Sequence, residues 1–121
     1  MYDHVGLRVK DFARSRAFYE KALAPLGIEM LDRSEESAGF GSKGRIQLWV
    51  QTGTPVSTGT HLAFSSPDRA AVQAFHAAAL KSGGRDNGAP GLRADYAPTY
   101  YAAFVHDPDG NNIEAVCHTE K

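Results

Sequence analysis

The feature that most constrains this chain is that its pattern runs twice. His4 opens HVGLRV and is followed seven positions on by Asp11, while His61 opens HLAFSS and is followed seven positions on by Asp68. Phe18, Leu23 and Gly27 return as Phe75, Leu80 and Gly84, all displaced by 57 positions. Further on, the displacement widens to 67, with Ile46 answering to Ile113 and Gln47 to Glu114, as a longer second loop around residues 88–98 requires. A repeat of this length reads as one supersecondary unit used twice, each copy leaving a sheet face for the other to cover.

The elements of the unit follow from local patterning. HVGLRV alternates as a strand, and Asp11 caps a helix over DFARSRAFYEKALAPL that stops at Gly27. Strands follow at IEMLDR, SAGFGS and RIQLWVQ, broken by Glu35-Glu36 and the turn SKG. After the linker TGTPVSTGT the series restarts. HLAFSS is a strand, and Pro67 suits the first turn of a helix over DRAAVQAFHAAALKS that ends at Gly83-Gly84. NGAPGLRADYAP reads as a loop, YYAAFVH as a strand, DPDG as a turn and NNIEAVCH as the last strand. The expectation is an α+β chain of two tandem βαβββ modules whose sheets form a U-shaped trough with the helices outside. It is one domain over residues 1–121, with module one about 1–52, a linker about 53–59 and module two about 60–121.

Strand alternation sorts side chains by face. Val5, Leu7 and Val9 oppose His4, Gly6 and Arg8; Ile46, Leu48 and Val50 oppose Arg45, Gln47 and Trp49. Leu62 and Phe64 oppose His61, Ala63 and Ser65; Ile113, Ala115 and Cys117 oppose Asn112, Glu114, Val116 and His118. The aliphatic sets suit the apolar helix stripes, which leaves His4, Gln47, His61 and Glu114 on the helix-free face. Two imidazoles, a carboxylate and an amide oxygen compose a set for a divalent ion such as Mn, Fe, Co, Ni or Zn. The net charge of -1 over 121 residues, without a polybasic run, argues against nucleic-acid or anionic-membrane partners. No apolar stretch is long enough to span a bilayer, and the single Cys117 allows no internal disulfide, so the expected location is cytoplasmic.

Three segments, HVGLRVKDFARSRAFYEKALAPLG, THLAF and FVHDPDGNNIEAV, resemble the vicinal oxygen chelate superfamily over nearly the whole chain. Lactoylglutathione lyase, bleomycin resistance proteins, fosfomycin-modifying thiol transferases, methylmalonyl-CoA epimerase and extradiol dioxygenases belong to that superfamily. The closing segment is the most specific, a DPDG turn followed by an Ile-Glu pair. The resemblance implies that His4 and His61 stand at the first ligand positions of their modules and Glu114 at the final one. Gln47 takes the remaining position, where bacterial lactoylglutathione lyases typically carry glutamate. The set His, Gln, His, Glu is similar to that of methylmalonyl-CoA epimerase, and His4, His61 and Glu114 alone resemble that of the fosfomycin thiol transferases.

By the same resemblance the site holds one divalent metal (Ni, Zn, Mn, Fe or Co), a substrate chelates it through neighbouring oxygens, and Glu114 is the catalytic carboxylate. A homodimer is implied as well. Two functions stay open: a metal-dependent lyase, isomerase or thiol transferase, or a non-catalytic small-molecule binding protein of the bleomycin resistance kind. SAGFGS offers no carboxylate as a second base. Arg8, Arg45 and Trp49 share the ligand face, and Arg93, Tyr96, Tyr100 and Tyr101 lie in or beside the long loop, so these are the candidate substrate contacts. His76, His106 and His118 read as structural or solvated, and Cys117 as a buried thiol on the helix side.

Overall fold

Alternation along β1 (Val5–Val9) buries Leu7 and Val9 and exposes Gly6 and Arg8. The computed structural model, which describes all 121 residues, continues from this strand into the unit that the repeat predicts. The Asp11 carboxylate accepts from the Arg14 amide at 3.2 Å and starts α1 (Phe12–Leu23), whose buried stripe is Ser15, Phe18, Tyr19, Ala22 and Leu23. A 3-10 turn over Ala24–Leu26 ends at Gly27, whose φ of 81° only glycine adopts at no cost. β2 (Glu29–Arg33), β3 (Ser37–Ser42) and β4 (Arg45–Thr52) complete module one. Lys43 and Gly44, both at positive φ, make the tight two-residue hairpin between β3 and β4.

Module two repeats the series with β5 (His61–Ser65), α2 (Arg69–Lys81), β6 (Arg85–Leu92), β7 (Tyr101–His106) and β8 (Asn112–Cys117). The cap of α2 is Asp68, which accepts from the Ala71 amide at 2.8 Å, so Pro67 precedes the cap instead of entering the first turn. β6 is a strand where a loop was expected. Its sequence, RDNGAPGL, carries the glycines and proline that mark turns, yet β6 is a sheet edge, where a missing N–H is tolerated. The ladder to β7 slips at Gly88 and again before Gly91. Each module forms a four-stranded sheet, in order β1-β4-β3-β2 and β5-β8-β7-β6, with its first strand parallel to its last.

One core of 20 buried residues draws on both modules, from Leu7, Phe18 and Val50 to Val72, Phe75 and Ile113. A polar hub ties the halves at the DPDG turn. The Asp107 carboxylate, 2% exposed as a residue, accepts from the Tyr19 hydroxyl of α1, from the amides of Asp109 and Asn111 at 2.9 Å, and from Asn111 Nδ2 at 2.9 Å. Asn111 in turn donates to Ser57 O and accepts from the Thr60 amide, which fastens the intermodule connection. Burial, then the Asp107 charge, push the Tyr19 hydroxyl well above its ordinary pKa, so it stays a donor.

A β-bulge corrects two expectations about β4. Phe40 stands opposite Leu48, but Gly41 stands opposite Ile46, so Gln47 is an extra residue in its strand. Ile46 is thereby turned onto the helix-free face with Trp49: a Cβ added to Gly39 would meet Ile46 at 2.9 Å and Trp49 at 3.1 Å. At Gly41 an added Cβ would fall 1.8 Å from the Arg45 carbonyl oxygen, so the bulge requires glycine there. The ladders also reset the repeat. Trp49 faces Gly6 and Gly39 as Glu114 faces Ala63 and Phe104. The displacement at this strand is therefore 65 positions, not 67; Trp49 answers to Glu114, and Gln47 to Asn112.

Candidate functional site

The helix-free face of module two gathers a carboxylate, an imidazole and a phenol. Glu114 lies in the middle of β8 between Ala63 of β5 and Phe104 of β7. Its side chain is 2% exposed, and its Oε1 accepts from His61 Nε2 at 2.8 Å, while His61 itself is 53% exposed. The other oxygen, Oε2, accepts from the Tyr100 hydroxyl. Tyr100 arrives through residues 93–100, a turn closed by bonds from the Arg93 amide to Tyr100 O (2.7 Å) and from the Tyr96 amide to Arg93 O (2.9 Å). Burial first, then the bond to Glu114, push the Tyr100 phenol up to about 12. Its ring meets Tyr96 edge-on at 5.0 Å and His118 at 5.2 Å. Glu114 thus has one oxygen sealed under an aromatic turn and one offered to a half-open histidine.

The other expected ligands are less gathered. His4 precedes β1, is 53% exposed, and its Nδ1 pairs with Asp3 at 2.7 Å. That hydrogen bond, more than the charge of Arg45, holds Asp3 below the usual carboxylate range. His4, Gln47 and His61 line one groove of about 540 Å³ with Val5, Leu48, Leu62 and Phe64. No three His, Cys, Asp or Glu side chains converge at metal-binding distance in this single chain. The donor types nonetheless fit a divalent ion, since an imidazole already touches a buried carboxylate and a second imidazole lines the same groove.

The expected substrate contacts divide. Arg8 is engaged by the connection, its Nε donating to Pro55 O at 2.8 Å and its amide to Ser57 Oγ at 2.9 Å. Tyr101 turns away from the Glu114 face. It packs on the core, accepts from Gln73 Nε2 at 2.9 Å and carries the Arg69 guanidinium of α2 over its ring. The parity of YYAAFVH explains this, because Tyr101 shares its face with Ala103 and Val105, and Tyr100 falls with Phe104. Trp49 lies on the helix-free face of module one with Gly6 and Gly39. Arg45 opens β4 near Asp3, Tyr96 is exposed beside Tyr100, and Arg93 covers the Phe104 ring. His118, expected outside the site, touches Tyr100; its shared parity with Glu114 was the signal. His76 is structural, its Nε2 2.8 Å from Asp86 between α2 and β6, and Cys117 is buried in the core. No helix is long and apolar enough to cross a membrane.

Paired strand-helix-strand modules with open sheet faces that carry His61 and Glu114 define a class of small-ligand proteins, and comparison makes the class specific. Residues 2–115 match the Glyoxalase/Bleomycin resistance protein/Dioxygenase superfamily. The chain belongs to that superfamily. Among solved structures it is similar to a glyoxalase/bleomycin resistance protein from Albidiferax ferrireducens T118, with 31% identity, a TM-score of 0.86, and coverage of 97% of this chain and 98% of that one. Glyoxalase I from Zea mays matches at 25% identity and a TM-score of 0.72, over 98% of this chain and 46% of the maize protein. Lactoylglutathione lyase from Agrobacterium tumefaciens shares the fold, at 17% identity and a TM-score of 0.68, over 97% and 92% of the two chains. No curated protein matches the sequence.

Proposed function

We propose that this chain is a glyoxalase-family metalloenzyme in which His61, Glu114 and His4 hold one divalent cation for a small substrate with neighbouring oxygens. The observation that carries this reading is Glu114, buried on an open sheet face with His61 on one oxygen and Tyr100 on the other. A bound cation there supplies Lewis-acid stabilisation of a developing oxyanion. His61 would hold the cation through the Nε2 lone pair in the tautomer that carries its proton on Nδ1. Tyr100 keeps Glu114 Oε2 oriented, and the 93–100 turn keeps water from that oxygen. Glu114 Oε1, paired with the half-exposed His61 that lines the groove, is the atom placed to accept and return a substrate proton. Gln47 serves as a groove residue, since the register gives Trp49, not Gln47, the position matching Glu114. That same exchange of carboxylate for tryptophan favours a second reading, a binding protein of the bleomycin resistance kind.

Elemental analysis decides between them. Protein prepared without chelator or metal-affinity resin is expected to carry close to one divalent ion per site, with Ni, Zn, Mn, Fe and Co all assayed. His61→Ala, at a half-exposed position, is expected to fold normally and lose the ion. Absence of metal even after incubation with each of the five removes the enzyme and leaves the binding protein. A homodimer belongs to the proposal as well, supported by the sheet edges that β1 and β5 leave open. Light scattering is expected to give the mass of two chains; a single-chain mass at assay concentration refutes it.

A further inference from the structure

Arg93 is a guanidinium without a carboxylate, set beside a carboxylate centre. Its Cζ lies 5.4 Å from the centroid of the Phe104 ring, and its Nη2 donates to Ala89 O at 2.7 Å. Phe104 stands opposite Glu114 in the ladder, and its ring centroid is 6.3 Å from that of His61. The cation therefore shares a sheet face with the His61–Glu114 pair. The three ion pairs of the chain all involve histidine, and none reaches Arg93. The glycine-rich edge strand makes the seat. A Cβ on Gly88 would come 3.3 Å from Nη2, and one on Gly91 would come 3.1 Å from Nη1. Side chains at either position would press on the guanidinium, and one at Gly88 would also press on the Phe104 ring at 3.0 Å. One of its five N–H donors is used on Ala89, and the planar fork of the rest matches two oxygens of one acid group.

We propose that Arg93 binds an oxyanion group of the ligand, a carboxylate or a phosphoryl group, so that the substrate class is a small organic acid or phosphorylated acid and not a neutral carbonyl compound. The location of the ligand's other oxygens rests on the proposed role of His61 and Glu114; the anion seat does not. Binding is measured by NMR titration of chelator-treated protein with inorganic phosphate and, separately, with acetate. The wild type is expected to shift signals of the Phe104 and Arg93 region with at least one of them. Arg93→Gln weakens that binding tenfold or more, and Arg93→Lys weakens it partially. Arg69→Gln, which removes an equal charge over Tyr101 on the helix side, leaves it unchanged. Binding of phosphate alone assigns the phosphoryl class, and binding of acetate alone the carboxylate class. Neither anion binding the wild type, or Arg93→Gln binding as well as wild type with its thermal transition intact, overturns the proposal. Arg93-dependent binding in a chain that takes up no metal keeps this inference and discards the enzyme reading.

Discussion

Asp107→Ala is expected to cost about 3–5 kcal/mol of folding stability, the range for removing one member of a buried charged network. The carboxylate accepts four hydrogen bonds, two from its own turn and two from the side chains of Tyr19 and Asn111. Truncation leaves those donors facing a void, and each unpaired buried donor costs about 1–3 kcal/mol. Against a typical domain stability of about 5–15 kcal/mol, this is a large fraction. Urea titration followed by circular dichroism measures it. Tyr19→Phe removes one of the four bonds and should cost about 1–3 kcal/mol, less than Asp107→Ala. Because Tyr19 and Asp107 touch, the double variant should cost less than the two losses combined. A loss below about 1 kcal/mol for Asp107→Ala would show that water satisfies the hub once the carboxylate is gone.

Glu114→Gln is expected to abolish divalent-ion uptake with little change in stability. The amide keeps the volume of the carboxylate and can still accept from Tyr100, but it loses the charge that a hard or borderline cation requires. Removing a residue that only orients a metal ligand costs about 10–100-fold in affinity, so loss of a direct carboxylate should exceed that range. Tyr100→Phe separates the two kinds of role. It leaves Glu114 charged but frees Oε2, and should weaken uptake within that ~10–100-fold range. Isothermal titration with Zn or Ni on the three proteins gives the comparison. Equal affinity in Glu114→Gln and wild type would remove Glu114 from the cation site, while a normal Tyr100→Phe would reduce that phenol to packing.

Most of the fold is legible in the sequence because both copies of the unit carry their own caps and alternation. Asp11 and Asp68 mark the helix starts, and the strand residues that alternate are the ones buried. What escapes is whatever depends on pairing instead of periodicity. β6 is invisible because Gly88, Pro90 and Gly91 read as loop, while a sheet edge tolerates them. The bulge at Gln47 shifts the count by one within β4, which puts Ile46 on the wrong face, and matching Ile46 to Ile113 pairs Gln47 with Glu114, two positions short of Trp49. His61 and Glu114 are found by parity, since β5 and β8 are regular and adjacent. Tyr100 and Tyr101 differ by one position, and the parity of YYAAFVH, with Tyr101 on the face of Ala103 and Val105, tells which turns toward Glu114.

Trp49 is the only tryptophan in the chain, and it lies on the open face of module one. Its emission is therefore an optical label already in place, confined to the half that lacks the carboxylate centre. Far-ultraviolet dichroism, by contrast, averages both halves. Because the Tyr19–Asp107 hub joins α1 to the far turn, the two signals should fall on one denaturation curve. Cut the hub, and the two signals should still fall together at lower denaturant, because one core spans both halves.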